Sequence, residues 1–212
     1  MAGFTSKERA MTAAMLGACL GMATTPRHVD AQSPPAATIP ADARYTAADV
    51  TFMQGMIGHH AQALEMSALV ADRSTRPELA LLAERIMVSQ RDEIAIMQTW
   101  LSERKQPVPT TGGHDLHARH VAHDAGGATH QMPGMLTPAQ MDSLTKATGP
   151  AFDRLFLQYM IQHHEGALTM VAELLRTPNA AREPMVFQFV SDVDTDQRSE
   201  IRRMQRLLRV LL

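Results

Sequence analysis

Cysteine is nearly missing from this 212-residue chain, whose one thiol, Cys19, lies close to the N-terminus. No disulfide can form within the chain, so a soft metal ion would have to be held by methionine and histidine. Aromatic residues make up only 4% of the sequence and the net charge is -2 with no basic stripe, which excludes a stacking platform or a phosphate-binding face for nucleic acid. No apolar run reaches the roughly 20 residues of a membrane helix, so no transmembrane span is expected. Familiar catalytic spacings are also absent. His164-Glu165 opens like a zinc-protease motif, but the residue four after His164 is Leu168 rather than a second histidine. Neither half of the chain contains the Glu-x-x-His pair of a di-iron carboxylate site. There is no Cys-x-x-Cys-His for haem attachment and no glycine-rich phosphate loop. What is abundant is 16 methionines and 10 histidines.

Residues 1–31 read as a secretory signal. Lys7, Glu8 and Arg9 precede a small-residue apolar run from Ala10 to Ala23, and Val29-Asp30-Ala31 has a cleavage pattern, which puts the mature start near Gln32 and the protein in the periplasm or otherwise exported to the bacterial envelope. Leu16-Gly17-Ala18-Cys19 also has the form of a lipoprotein box, so Cys19 is either lipid-anchored or lost with the signal. Residues 32–44, with their prolines and alanines, form a flexible leader.

The remainder predicts an all-α chain. Thr46 with Asp49 three residues later is a capping box, starting a helix that should run to about Asp72. Ser74-Thr75-Arg76-Pro77 turns the chain into a second helix to Arg104, and so short a turn makes residues 45–104 an antiparallel hairpin. Residues 105–136 lose apolar periodicity and form a His-rich linker. Thr137-Pro138-Ala139-Gln140 opens a short helix, Gly149-Pro150 stops it, and a long helix from Pro150 to Arg176 begins the rest of 137–212. A shift of 104 residues superimposes eleven of the twenty-two positions from Asp49 to Val70, including Met56, His59, His60 and Met66 on Met160, His163, His164 and Met170. A shift of 107 places Gln90, Glu93 and Met97 on Gln197, Glu200 and Met204. Two duplicated helical hairpins, each with one apolar stripe, bury it best against each other as a four-helix bundle forming one domain.

The candidate ligands follow from that register. Met56, His59, His60 and Met66 share a broad face at 100° per residue, and Met160, His163, His164 and Met170 repeat it. Adjacent histidines diverge by 100°, so one of each pair should face the bundle axis and the other a helix seam. Gln90, Glu93 and Met97 share a face on the partner helix, as do Gln197, Glu200 and Met204. A purely structural role competes with ligation, because methionine fills gaps in helical cores and a glutamate across the bundle can satisfy a buried histidine. Four histidines and two glutamates are nonetheless costly to bury unless paired or metallated. The linker carries a second candidate in His114, His117, His120 and His123, followed by His130, Met132 and Met135, a chelating segment or simply a polar one. Thioether with imidazole suits Cu(I) and imidazole suits Cu(II), so copper is the expected metal, with zinc or nickel as alternatives at the linker.

Met56-Ile57-Gly58-His59-His60 with Ala63-Leu64-Glu65-Met66, and Met160-Ile161-Gln162-His163-His164-Glu165-Gly166-Ala167-Leu168-Thr169-Met170, resemble the domain-of-unknown-function 305 family over nearly all of the chain after the signal. The resemblance implies an exported, ferritin-like helical bundle and, from some members, periplasmic copper binding and resistance. It implies sites at His59, His60, His163, His164, Met56, Met66, Met160 and Met170, with Glu93, Glu200, Met97 and Met204 as supporting or alternate ligands. The expected function is copper buffering, resistance or trafficking without catalysis, with other periplasmic metal-handling proteins as partners. Two rivals stay open: a ferritin-like metalloenzyme handling oxygen or peroxide, and a metal-free helical interaction module.

Overall fold

A computed structural model describes residues 38–110 and 132–211. The expected signal 1–31 with Cys19, residues 32–37 of the leader, and His114, His117, His120 and His123 lie outside the described residues. Within them the chain is all-helical, with no strand.

Helix α1 spans Ala47–Ala68. The Thr46 hydroxyl accepts from the Asp49 N–H at 3.3 Å, and the Asp49 carboxylate accepts from the Thr46 N–H at 2.7 Å, satisfying two amides that the first turn leaves open. The helix does not continue unbroken to Asp72. At Leu69 the backbone tightens to an i to i−3 bond with Met66, and a four-residue helix α2, Val70–Arg73, completes the turn. Helix α3 runs Pro77–Glu103, helix α4 Pro138–Lys146 behind a second capping box at Thr137 and Gln140, helix α5 Gly149–Arg176, and helix α6 Pro184–Leu211.

Helix α1 packs along α3, α5 packs along α6, and α1 meets α5. The buried aspartate at the start of each inward helix ties it to the turn of the other pair. Asp49 Oδ1 accepts from the Ala181 N–H at 2.7 Å between α5 and α6, and Asp153 Oδ2 accepts from Arg76 Nε at 3.0 Å before α3.

The apolar core is divided in two. One cluster contains Phe52, Met56, Ile57, Ile94, Trp100, Val171 and Val193; the other contains Ala63, Leu82, Ile86, Phe156, Met160, Ile201 and Met204. On each long helix the change from one cluster to the other falls in a short interval: after Ile57 on α1, after Ile86 on α3, after Met160 on α5 and after Val193 on α6. Those four intervals hold His59-His60, Gln90 with Glu93, His163-His164, and Gln197 with Glu200, all buried or nearly so. A polar layer thus crosses the middle of an otherwise apolar interior.

Candidate metal centre

All four histidines of the layer are fully buried. His59 and His163 meet where α1 crosses α5, their ring centroids 3.8 Å apart and their planes inclined by 39°. The other two turn toward the seams. His60 Nε2 donates to Glu93 Oε2 in a short hydrogen bond between α1 and α3, and His164 Nε2 donates to Glu200 Oε2 at 2.6 Å between α5 and α6. The 100° divergence of adjacent helical residues is what sends one imidazole of each pair to the axis and the other to a carboxylate.

Carboxylate oxygens accept, so the His60 and His164 protons that face them sit on Nε2. Among the described residues the Nδ1 atoms of both rings meet no hydrogen-bond partner, and His163 has no well-aligned one, its ring reaching only the His59 backbone. Burial drives the His163 imidazole well below its ordinary pKa of 6.5, the neighbouring His59, His164 and His60 push it further down, and the His59 backbone opposes them. The ring is therefore kept neutral, the form that binds metals.

The methionines fall on either side of the layer. Met56 and Met97 lie in one apolar cluster, and Met66, Met160 and Met204 lie in the other, all fully buried. Met170 is half-buried at the edge of the first cluster. Among the described residues no three His, Cys, Asp or Glu groups converge closely enough to hold one ion. The layer brings donors together as pairs, His59 with His163, His60 with Glu93, and His164 with Glu200.

Several contacts escaped the sequence reading, which had Met132 and Met135 only as members of the linker's chelating segment. Met132 to Leu136 lies over α1 and α5 as a strap. His59 Nε2 donates to the Pro133 carbonyl at 3.0 Å, Gln162 Nε2 to the Gly134 carbonyl at 3.3 Å, and Gln62 grips both backbone groups of Leu136 at 3.1 and 2.7 Å. Only glycine allows the approach: a Cβ on Gly166 would lie 2.0 Å from the Pro133 oxygen, and Gly134 has φ +75°. Asp196 was also missed. Burial raises its pKa most, and Glu93, Glu200 and Asp192 raise it further against the pull of Arg85. With Glu84, Arg85 and Glu200 it lines a cleft of about 380 Å³ at the outer edge of the layer. Its place one turn before Glu200, a like charge at i, i+4, was the available signal. A larger hollow of about 710 Å³ around Gln98 and Thr110 is lined by no histidine or methionine among the described residues.

The family described as Domain of unknown function (DUF305) matches residues 49–208. A DUF305 fragment from Deinococcus radiodurans is 32% identical, covers 77% of this chain and 97% of its own, and superimposes with a TM-score of 0.63. A DUF305 protein from Streptomyces coelicolor is 30% identical over 77% of this chain and 93% of its own, with a TM-score of 0.64. CopM, solved in a Cu(II)-bound form, is 28% identical over 77% of this chain and 97% of its own, with a TM-score of 0.59, and it is also known in Cu(I)-bound and Ag-bound forms. An uncharacterized protein of Acanthamoeba polyphaga mimivirus is 40% identical over 57 residues, a match spanning 27% of this chain and 38% of that protein.

Proposed function

The chain belongs to the DUF305 family, and from that premise and the histidine layer we propose that it is an exported, periplasmic metal-binding protein that buffers or hands on copper. Its two hairpins read as a duplicated unit closed into a ferritin-like four-helix bundle, with the layer as the site that closure creates. The observation that carries the proposal is the set of fully buried imidazole nitrogens left without a partner among the described residues, Nδ1 of His60, Nδ1 of His164 and at least one nitrogen of His163, whose ring meets only the His59 backbone. A buried polar group without a partner costs about 1–3 kcal/mol, and a purely structural position does not require that cost.

The two His–carboxylate pairs support the same reading. A histidine that ligates a metal through one nitrogen donates the other N–H to a carboxylate, which fixes the ring and raises its basicity. Glu93 and Glu200 hold His60 and His164 in that way and leave Nδ1 open. Copper fits an imidazole and thioether donor set without thiolate, and CopM was crystallised with it. Loading requires the rings to turn toward a common ion, so the sites are exchangeable ones suited to cargo. His114, His117, His120 and His123 would act as a capture segment, and catalysis is not needed. The same pairs also favour a second reading, a metal-free module in which Glu93 and Glu200 merely satisfy buried histidines.

Titration of the chelator-stripped chain with Cu(II) and Cu(I), beside a variant with His59, His60, His163 and His164 changed to Ala and checked for helicity, separates the two. Tight binding lost in the variant supports the layer. Binding that survives moves the site to the linker, and no binding in either protein leaves the metal-free module.

A further inference from the structure

The four histidines of the layer are fully buried, yet one pair of soft donors reaches the surface beside them. Gly55 on α1 has no side chain, and a Cβ there would meet Met132 Sδ at 3.3 Å and Met170 Cε at 3.5 Å. Both methionines are half-buried. Two thioether side chains, one from the strap and one from α5, therefore end together over a gap in α1.

The other half of the chain closes the equivalent place. In the 104-residue register Gly55 corresponds to Tyr159 and Met170 to Met66. Tyr159 packs against the apolar cluster in which Met66 is fully buried, whereas Met170 stays at the rim of its own cluster. Exchange of tyrosine for glycine thus leaves one methionine of the pair open, and Met132 meets it from a segment that lacks a counterpart in the register. The position of Met132 is held by its neighbours: His59 Nε2 grips the Pro133 carbonyl, and the Met132 carbonyl accepts from the Met135 N–H at 3.2 Å. His59 is also one helical turn along α1 from Gly55, and its ring lies against His163.

We propose that Met132 and Met170 form a soft-cation site over Gly55, taking Cu(I) through two thioether sulfurs and standing as the surface step before His59 and His163. This rests on the metal-binding reading above. Thioethers are polarizable, uncharged ligands that select monovalent soft ions over zinc or hard cations, and three rotatable bonds let each methionine adjust to the ion. Neither sulfur has to lose a proton, so binding here is independent of pH, unlike binding at imidazole.

The test is methyl-13C methionine NMR of the chelator-stripped full chain titrated with Ag(I), with Met132→Leu and Met170→Leu assigning the two signals. Both methyls should shift together at the first additions, and the double variant should hold Cu(I) about tenfold or more weakly against bicinchoninate. Cu(II) binding and thermal melting should be unchanged. Gly55→Tyr, which rebuilds the arrangement of the other half, should give the same weakening if it melts as the parent does. The site is overturned if Ag(I) shifts other methionines and leaves these two unmoved, or if the double variant keeps parental Cu(I) affinity. Loss of Cu(II) binding in the four-histidine variant would then still uphold the metal-binding reading. Failure of Cu(I), Ag(I) and Cu(II) all to bind the parent would overturn both.

Discussion

His163 and Glu93 separate ligation from packing. His163 is fully buried, with no more than a His59 backbone contact to satisfy its two nitrogens, so its apolar replacement removes a largely unsatisfied, desolvated polar group at little cost in volume. We expect His163→Leu to leave the metal-free protein as stable as the parent or up to about 1 kcal/mol more stable, and to weaken Cu(II) binding. Urea denaturation beside a Cu(II) titration checks this, and a loss of several kcal/mol without effect on metal would assign the ring a structural role. Glu93 should behave in the opposite way. Glu93→Ala leaves His60 Nε2 without its acceptor, which should cost about 1–3 kcal/mol. If the carboxylate orients a ligating ring, it should also cost about 10- to 100-fold in copper affinity, read from the same two experiments. Sequence periodicity placed these donors on inward faces but could not distinguish the rings that meet a carboxylate from those that meet each other. Which nitrogen meets an acceptor depends on the rotation of α1 against α3, set by packing along their whole length.

At the scale of elements, the strap is the part that local patterns could not foresee. The capping boxes at Thr46 and Thr137 are read from residues three apart and form as expected, because hydroxyl, carboxylate or amide, and open amides lie within one turn. The grip of Gln62 on Leu136 joins residues 74 apart, and nothing in either neighbourhood announces it. Gly166 was legible only as a residue of a family motif, whereas its role is to let the strap lie against the α5 backbone. We expect Gly166→Ala to lose about 1–3 kcal/mol despite its better helix propensity, because the Cβ would fall 2.0 Å from the Pro133 oxygen. A thermal melt gives the loss. The NMR signal of Met132 should move in the same variant, because the strap cannot stay seated.

For the whole molecule, the division of the core by a polar layer makes stability depend on pH. Burial holds His163 below its ordinary 6.5, so between the lowered value and 6.5 the unfolded chain takes up a proton that the folded chain refuses. Stability of the metal-free protein therefore rises with pH through that window and levels off above about 6.5. Thermal melts at pH 5 and pH 7.5 should show the lower midpoint at pH 5, and the difference should shrink in His163→Leu. Copper bound by imidazole should be lost over the same acid range, because protons compete for the same lone pairs.

The all-helical class, the DUF305 membership and the stock of donors were determined by the sequence alone. Helix periodicity, caps and the His-His and Glu spacings are properties of neighbours within a few residues, and a fixed register carries them from one half to the other. The tertiary structure decided the rest. It set His59 against His163, turned His60 and His164 to carboxylates, seated Met132 beside Met170, and brought Asp196 near Glu93. Each of these contacts joins helices or segments far apart in the chain. Their geometry follows from how whole helix faces interlock and exclude water, which no local stretch of residues encodes.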